Sequence, residues 1–266
     1  MDVTETTKRK TALITGASFG IGYELAKQFG SAGYDLVLVA RSKAKLEEVS
    51  AELRGLFGVD VGVVARDLTA DRAPDEIFEK LHANSISIDV LVNNAGFGTH
   101  GLFYKNEMKK ELEMIRLNIT ALVHLTRLFL PAMVERGSGK ILNVASTAAF
   151  QPGPLMAVYY ATKAFVVSFS DAVSNEVEDT GVTVTALCPG PTYTEFQKRA
   201  GMEHSKLFGR GKVMTAEDVA VQGYRALMEG KTIVITGFKN KLLAGSVRFA
   251  PRKLIKKVVR SMNENR

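Results

Sequence analysis

Tyr159 and Lys163 stand four positions apart in a segment of helical character, which projects both side chains from one face. A free phenol titrates at about 10, too high for proton transfer near neutrality, and an ammonium beside it favours the phenolate and lowers that value. The pair therefore suits general acid–base chemistry at an oxygen. In isolation it is also an ordinary exposed helix pair. Tyr160 is not equivalent, because one residue along a helix turns a side chain by about 100°. Ser146 follows an apolar run at 140–145 and so falls at the carboxyl end of an expected strand, where ligands collect in parallel sheets. Its hydroxyl is suited to bond an oxygen on which charge develops, and equally suited, with Thr147, to cap a turn.

A second feature is the turn Gly16-Ala17-Ser18-Phe19-Gly20-Ile21-Gly22, placed between an apolar run at 11–15 and a helical pattern reaching residue 29. Glycines there let the backbone approach a phosphate, and the helix N-terminus favours its charge. The spacing, Gly-x-x-x-Gly-x-Gly, differs from the commoner Gly-x-Gly-x-x-Gly of dinucleotide sites.

The elements that must position these residues follow from periodicity. Continuous apolar runs at 11–15, 36–40, 59–65, 88–93, 140–145, 182–188 and 232–235 predict about seven strands. Helical patterns at 43–53, 75–82, 109–135, 156–179 and 216–228 separate most of them. Strands that are apolar throughout and alternate with helices predict a doubly wound, Rossmann-type α/β parallel sheet with helices on both faces. One domain at 11–238 is expected, between an N-terminal tail at 1–10 and a C-terminal extension at 239–266. The stretch 191–212 lacks periodicity and reads as a substrate lid.

Taken in order, Thr15-Gly16-x-x-x-Gly20-Ile21-Gly22, Asn93-Asn94-Ala95-Gly96, Ser146, Tyr159-x-x-x-Lys163 and Pro189-Gly190 resemble the short-chain dehydrogenase/reductase family over residues 10–237. The resemblance implies hydride transfer between a nicotinamide and a carbonyl or alcohol, with Ser146, Tyr159 and Lys163 catalytic. It also implies that Asn118 completes a water-linked proton relay through Lys163. Cofactor contacts are implied for Gly16, Ser18, Phe19, Gly20 and Ile21, for Asp67 at adenine, and for Asn93, Ala95 and Gly96 along the pocket wall. Pro189, Gly190 and Thr192 are implied at the nicotinamide, beside Tyr159 and Lys163. A homodimer or homotetramer is the implied assembly.

NADP(H) is the expected cofactor. An acid at the end of the second strand would bond the adenosine ribose of NAD, and the sequence there is Val39-Ala40-Arg41-Ser42. The acid is missing and Arg41 supplies a guanidinium suited to phosphate. Many NADP-using relatives carry a further basic residue just before the middle glycine, where this chain has Phe19.

Bulk composition narrows the classes. With 46% hydrophobic and 24% charged residues, the chain is that of a folded globular protein rather than a disordered one. Cys188 is the only cysteine and the four histidines are scattered, so no metal is expected. No signal peptide and no uninterrupted membrane-length apolar run is seen, and a cytoplasmic location, or one peripheral to a membrane, is expected. The net charge of +7 comes largely from 239–266, where nine basic residues stand against Glu264 alone. In 251–262, Leu254, Ile255, Val258, Val259 and Met262 fall on one side of a helix, and Arg252, Lys253, Lys256, Lys257 and Arg260 on the other. Such a helix either contacts an anionic membrane or packs on protein. No nucleic-acid motif accompanies the charge. Within the same fold, a 3-oxoacyl-thioester reductase and a catalytically silent nucleotide-binding scaffold remain as alternatives.

Overall fold

The computed structural model of the chain describes residues 9–202, 205–206 and 213–264. Its centre is a sheet of seven parallel strands: β1 (Thr11–Thr15), β2 (Asp35–Ala40), β3 (Val61–Ala65), β4 (Val90–Asn93), β5 (Gly139–Val144), β6 (Val182–Cys188) and β7 (Ile233–Ile235). They lie in the order β3-β2-β1-β4-β5-β6-β7. β1 pairs with β2 on one side, Leu13 opposite Val37, and with β4 on the other, Leu13 opposite Leu91. The winding therefore reverses between β1 and β4. A crevice opens at the carboxyl ends of these two strands, the place where such sheets bind ligands.

Alternation within β1 shows why each strand is apolar throughout. Ala12 and Ile14 enter a core with Leu25 and Phe29 of α1 (Gly20–Ser31), Leu46 and Leu53 of α2 (Lys43–Phe57), and Leu227 of α8 (Ala216–Met228). Leu13 enters the opposite core with Ile77 of α3 (Ala73–Ala83), Leu125 and Phe129 of α5 (Leu122–Glu135), and Val173 of α6 (Ala157–Glu176). Both faces of the sheet are covered, so neither tolerates a polar register.

Most boundaries move by a residue or two from those expected. The larger change is in the helix expected at 109–135. It is three pieces: α4 (Met108–Ile115), a π-helical turn (Arg116–Ala121) and α5. The run Met108–Glu135 is long and apolar enough by composition to cross a membrane, yet its Leu125, Phe129 and Met133 pack on the sheet. The expected lid contains α7 (Phe196–Ala200), while 203–204 and 207–212 lie outside the described residues. The C-terminal extension forms α9 (Phe238–Ser246), a 3-10 turn (Val247–Phe249) and α10 (Arg252–Asn263).

Candidate active site

The glycine turn after β1 is held from behind. Gly16 N–H donates to the Val39 carbonyl at 2.8 Å. Asn94 Nδ2 donates to the Thr15 carbonyl at 2.9 Å and the Gly16 carbonyl at 3.2 Å. Thr15 Oγ1 in turn accepts from the Asn94 and Ala95 amides at 2.9 and 3.0 Å. Gly16 has φ +66° and a Cβ there would stand 2.8 Å from Asn94 Nδ2, so glycine is required on both conformational and steric grounds. α1 then opens at Gly20 with Phe19 as its N-cap and no side-chain cap. A helix N-terminus without a capping side chain, entered by a turn with glycine at both ends, fits a phosphate.

Ser146 emerges just past β5 and caps a 3-10 turn (Thr147–Phe150), its Oγ accepting from the Ala148 amide at 3.1 Å. The same hydroxyl donates to the Pro189 carbonyl at 3.4 Å and lies near enough to Tyr159 to lower its phenol. On α6, Lys163 is buried, with Nζ donating to the Val144 carbonyl at 2.7 Å and lying 5.9 Å from the Tyr159 ring centroid. Burial lowers the Lys163 ammonium to about 8, partly opposed by Cys188.

The Tyr159 phenol differs from the sequence expectation. Desolvation by burial pushes it above its ordinary value, the Ser146 hydroxyl opposes this, and Tyr160 adds to the rise. In this state Tyr159 is a protonated acid.

Asn118 sits in the π-helical turn, where one extra residue per turn re-aims a side chain, a distortion that recurs at functional sites. Its Oδ1 accepts from the Phe97 amide at 3.1 Å, and its Nδ2 donates to the Phe97 carbonyl at 3.0 Å and to Thr162 Oγ1 at 3.1 Å. A Cβ on Gly96 would stand 3.0 Å from Asn118 Oδ1 and 3.5 Å from Lys163 Nζ. Position 96 is thus the meeting point of the two groups.

Gly16, Gly20, Asn94, Gly96, Ser146, Tyr159 and Lys163, though not Asn118, line one cavity of about 1570 Å³. That exceeds the ~300–1000 Å³ usual for a single ligand and leaves room for a cofactor and a substrate together. Gly16, Ser18, Phe19, Gly20, Ile21, Arg41, Asp67, Ala95, Gly96, Pro189, Gly190 and Thr192 line it as expected. Arg41 is exposed at its rim and makes no ion pair among the described residues. Asp67 is also a turn residue, accepting from the Thr69 amide at 3.0 Å.

Asn93 is a correction. It is buried away from the cavity, its Nδ2 donating to Asn143 Oδ1 at 2.9 Å and Thr126 Oγ1 at 3.1 Å. As the last residue of β4, paired with Asn143, it points into the sheet, and its neighbour Asn94 takes the place beside the glycine turn. Sequence reasoning also missed Met156 and Phe196. Phe196 of α7 packs on the Tyr159 ring at 5.3 Å between centroids, and Gly98 lets both approach.

This arrangement, a phosphate-suited turn at one end of a cavity and a Ser–Tyr–Lys group at the other, has counterparts among known proteins. A family model described as short chain dehydrogenase matches residues 10–204. The chain belongs to the short-chain dehydrogenase family. It is 36% identical over 196 residues to the very-long-chain 3-oxoacyl-CoA reductase of Bos taurus, covering 70% of this chain and 61% of that protein's length. An uncharacterized oxidoreductase of Staphylococcus epidermidis is 32% identical over 213 residues, covering 80% and 88% of the two chains. Among solved structures, a short-chain dehydrogenase from Sphingobium yanoikuyae in complex with NADPH superposes with a TM-score of 0.81 at 33% identity, covering 90% of this chain and 94% of that one. The family is one of oxidoreductases that bind a nicotinamide cofactor.

Proposed function

We propose that this short-chain dehydrogenase is an NADP(H)-dependent carbonyl reductase acting on a lipophilic substrate. The observation that carries the reading is that Ser146, Tyr159 and Lys163 line the same cavity as Arg41, which makes no ion pair among the described residues. In this reading the Gly20 and Ile21 amides hold the pyrophosphate and Arg41 the 2′-phosphate. Thr192 lies against the carboxamide. The bound nicotinamide supplies the hydride.

The chain's own residues handle the proton. Tyr159, kept protonated by its buried setting, donates to the substrate oxygen during reduction and takes the proton back during oxidation. Ser146 hydrogen-bonds the same oxygen and holds the phenol in place. The Lys163 ammonium, near the ring, favours the tyrosinate left after transfer. Asn118 fixes the Phe97 backbone beside Lys163, as a positioning residue in the proton path.

A 3-oxoacyl thioester is the more specific substrate, favoured by the likeness to very-long-chain 3-oxoacyl-CoA reductases and by the apolar lining contributed by Met156, Phe196 and Met202. The test is a panel of ketones, aldehydes and 3-oxoacyl thioesters, followed by loss of NADPH absorbance. Turnover is expected on lipophilic ketones or thioesters. A protein that binds NADPH but consumes none with any class would be a silent scaffold and would overturn the proposal.

A further inference from the structure

α10 lies beyond residue 204, where the family match ends, and it carries three distinct rows of side chains. Ile255, Val259 and Asn263 are buried, the first two against Met156 and Tyr160. Asn263 ties down the end of the helix. Its Oδ1 accepts from the Tyr160 hydroxyl at 3.3 Å, its Nδ2 donates to the Pro154 carbonyl at 2.9 Å, and its own carbonyl lies 2.7 Å from His100 Nε2. A second row, Leu254, Val258 and Met262, stays 54%, 50% and 39% exposed. All three of these residues line the same cavity as Tyr159. The basic residues form the third row and are exposed. The single apolar side expected from the sequence is therefore divided, one row packed on the domain and one left open to the cavity.

A row of large apolar side chains left wet inside a cavity marks the place of an apolar ligand. We propose that Leu254, Val258 and Met262 form a wall for an extended alkyl chain, and that the length of this wall sets a chain-length preference. From 254 to 262 a helix advances about 12 Å, the length of roughly nine or ten methylenes. The row offers no hydrogen-bonding group, so only burial of the chain selects it. The inference rests on the proposed reaction only for which end of the ligand is reduced.

The test measures binding rather than turnover. The full chain with NADP+ is titrated with straight-chain fatty acids of increasing length that displace a fluorescent fatty acid. Affinity is expected to rise about three- to fourfold per methylene and then to level off once the wall is covered. Val258→Trp, which blocks the wall midway, should bring the plateau several methylenes earlier. Affinity independent of chain length, or an unmoved plateau in folded Val258→Trp, overturns the proposal. So does displacement of the probe by anionic vesicles alone, or a dimer dissociated by Leu254→Glu, since the row would then belong to a lipid surface or a second copy. If fatty acids bind as expected and no carbonyl is reduced, the wall stands and the reductase reading fails.

Discussion

The Tyr160 hydroxyl donates to the side-chain oxygen of Asn263, 103 positions further along the chain, at 3.3 Å. Its neighbour Tyr159 instead lines the cavity near Ser146. Two adjacent tyrosines on one helix thus serve different ends, because the step of about 100° between them points one at the Ser146 hydroxyl and the other at α10.

Tyr159→Phe removes only the proton-carrying oxygen, so NADPH binding should stay near that of the unaltered protein while turnover falls at least about a hundredfold. Tyr160→Phe keeps the Ser146–Tyr159–Lys163 group whole and should retain most of the turnover. Steady-state rates and NADPH fluorescence titration of both variants check this. Loss of turnover in Tyr160→Phe alone would move the proton transfer to the wrong tyrosine and sink the assignment.

Asn263→Ala should be strongly destabilising for a residue so near the C-terminus. The Pro154 carbonyl and the Tyr160 hydroxyl each lose a buried partner, at about 1–3 kcal/mol apiece. For a chain of this size each kcal/mol lowers the midpoint by roughly 2–4 °C, so the combined loss of about 2–6 kcal/mol should lower it by roughly 4–24 °C in thermal denaturation. A midpoint equal to that of the unaltered protein would mean that α10 is not anchored through this side chain.

Arg41→Ala should weaken NADPH by about ten- to a hundredfold and leave NADH nearly unchanged, the loss of one charge-assisted bond to a phosphate that only NADPH carries. Competitive titration of both cofactors decides it. Equal weakening would give Arg41 a structural role and remove the main support for NADP(H).

Much of this was readable in the sequence because it rests on local signals. The strand runs, the glycine turn and the four-residue Tyr159–Lys163 spacing each depend on neighbours in the chain, and the parallel sheet follows from strands that alternate with helices. The π-helical turn was not readable, since an extra residue in a long apolar helix leaves its pattern nearly intact. Asn93 and Asn94 have the same side chain, and only the register of β4 against β5 decides which faces the core. Phe196 and Met156 reach Tyr159 from distant segments, and no spacing announces such contacts. The Tyr159 phenol was expected low from its lysine neighbour and lies high because burial raises it more than Ser146 lowers it.

Lys163 supplies the last prediction, which separates its catalytic from its structural effect. Burial lowers its ammonium from 10.5 to about 8, so holding the charged form inside the fold costs about 3 kcal/mol at neutral pH. Between about 8 and 10.5 the unfolded lysine keeps a proton that the folded one has lost, and this group's contribution to stability therefore rises with pH in that window. Lys163→Met removes the buried charge and, with it, the hydrogen bond to Val144, which offsets about 1 kcal/mol of the gain. The variant should be more stable than the unaltered protein by roughly 2 kcal/mol at pH 7, while its turnover collapses. The advantage should shrink steadily as pH is raised toward 10. Denaturant unfolding of both proteins at several pH values tests this. A variant less stable at pH 7, or a stability gap that does not change with pH, would mean that the lysine is not held as a costly buried cation.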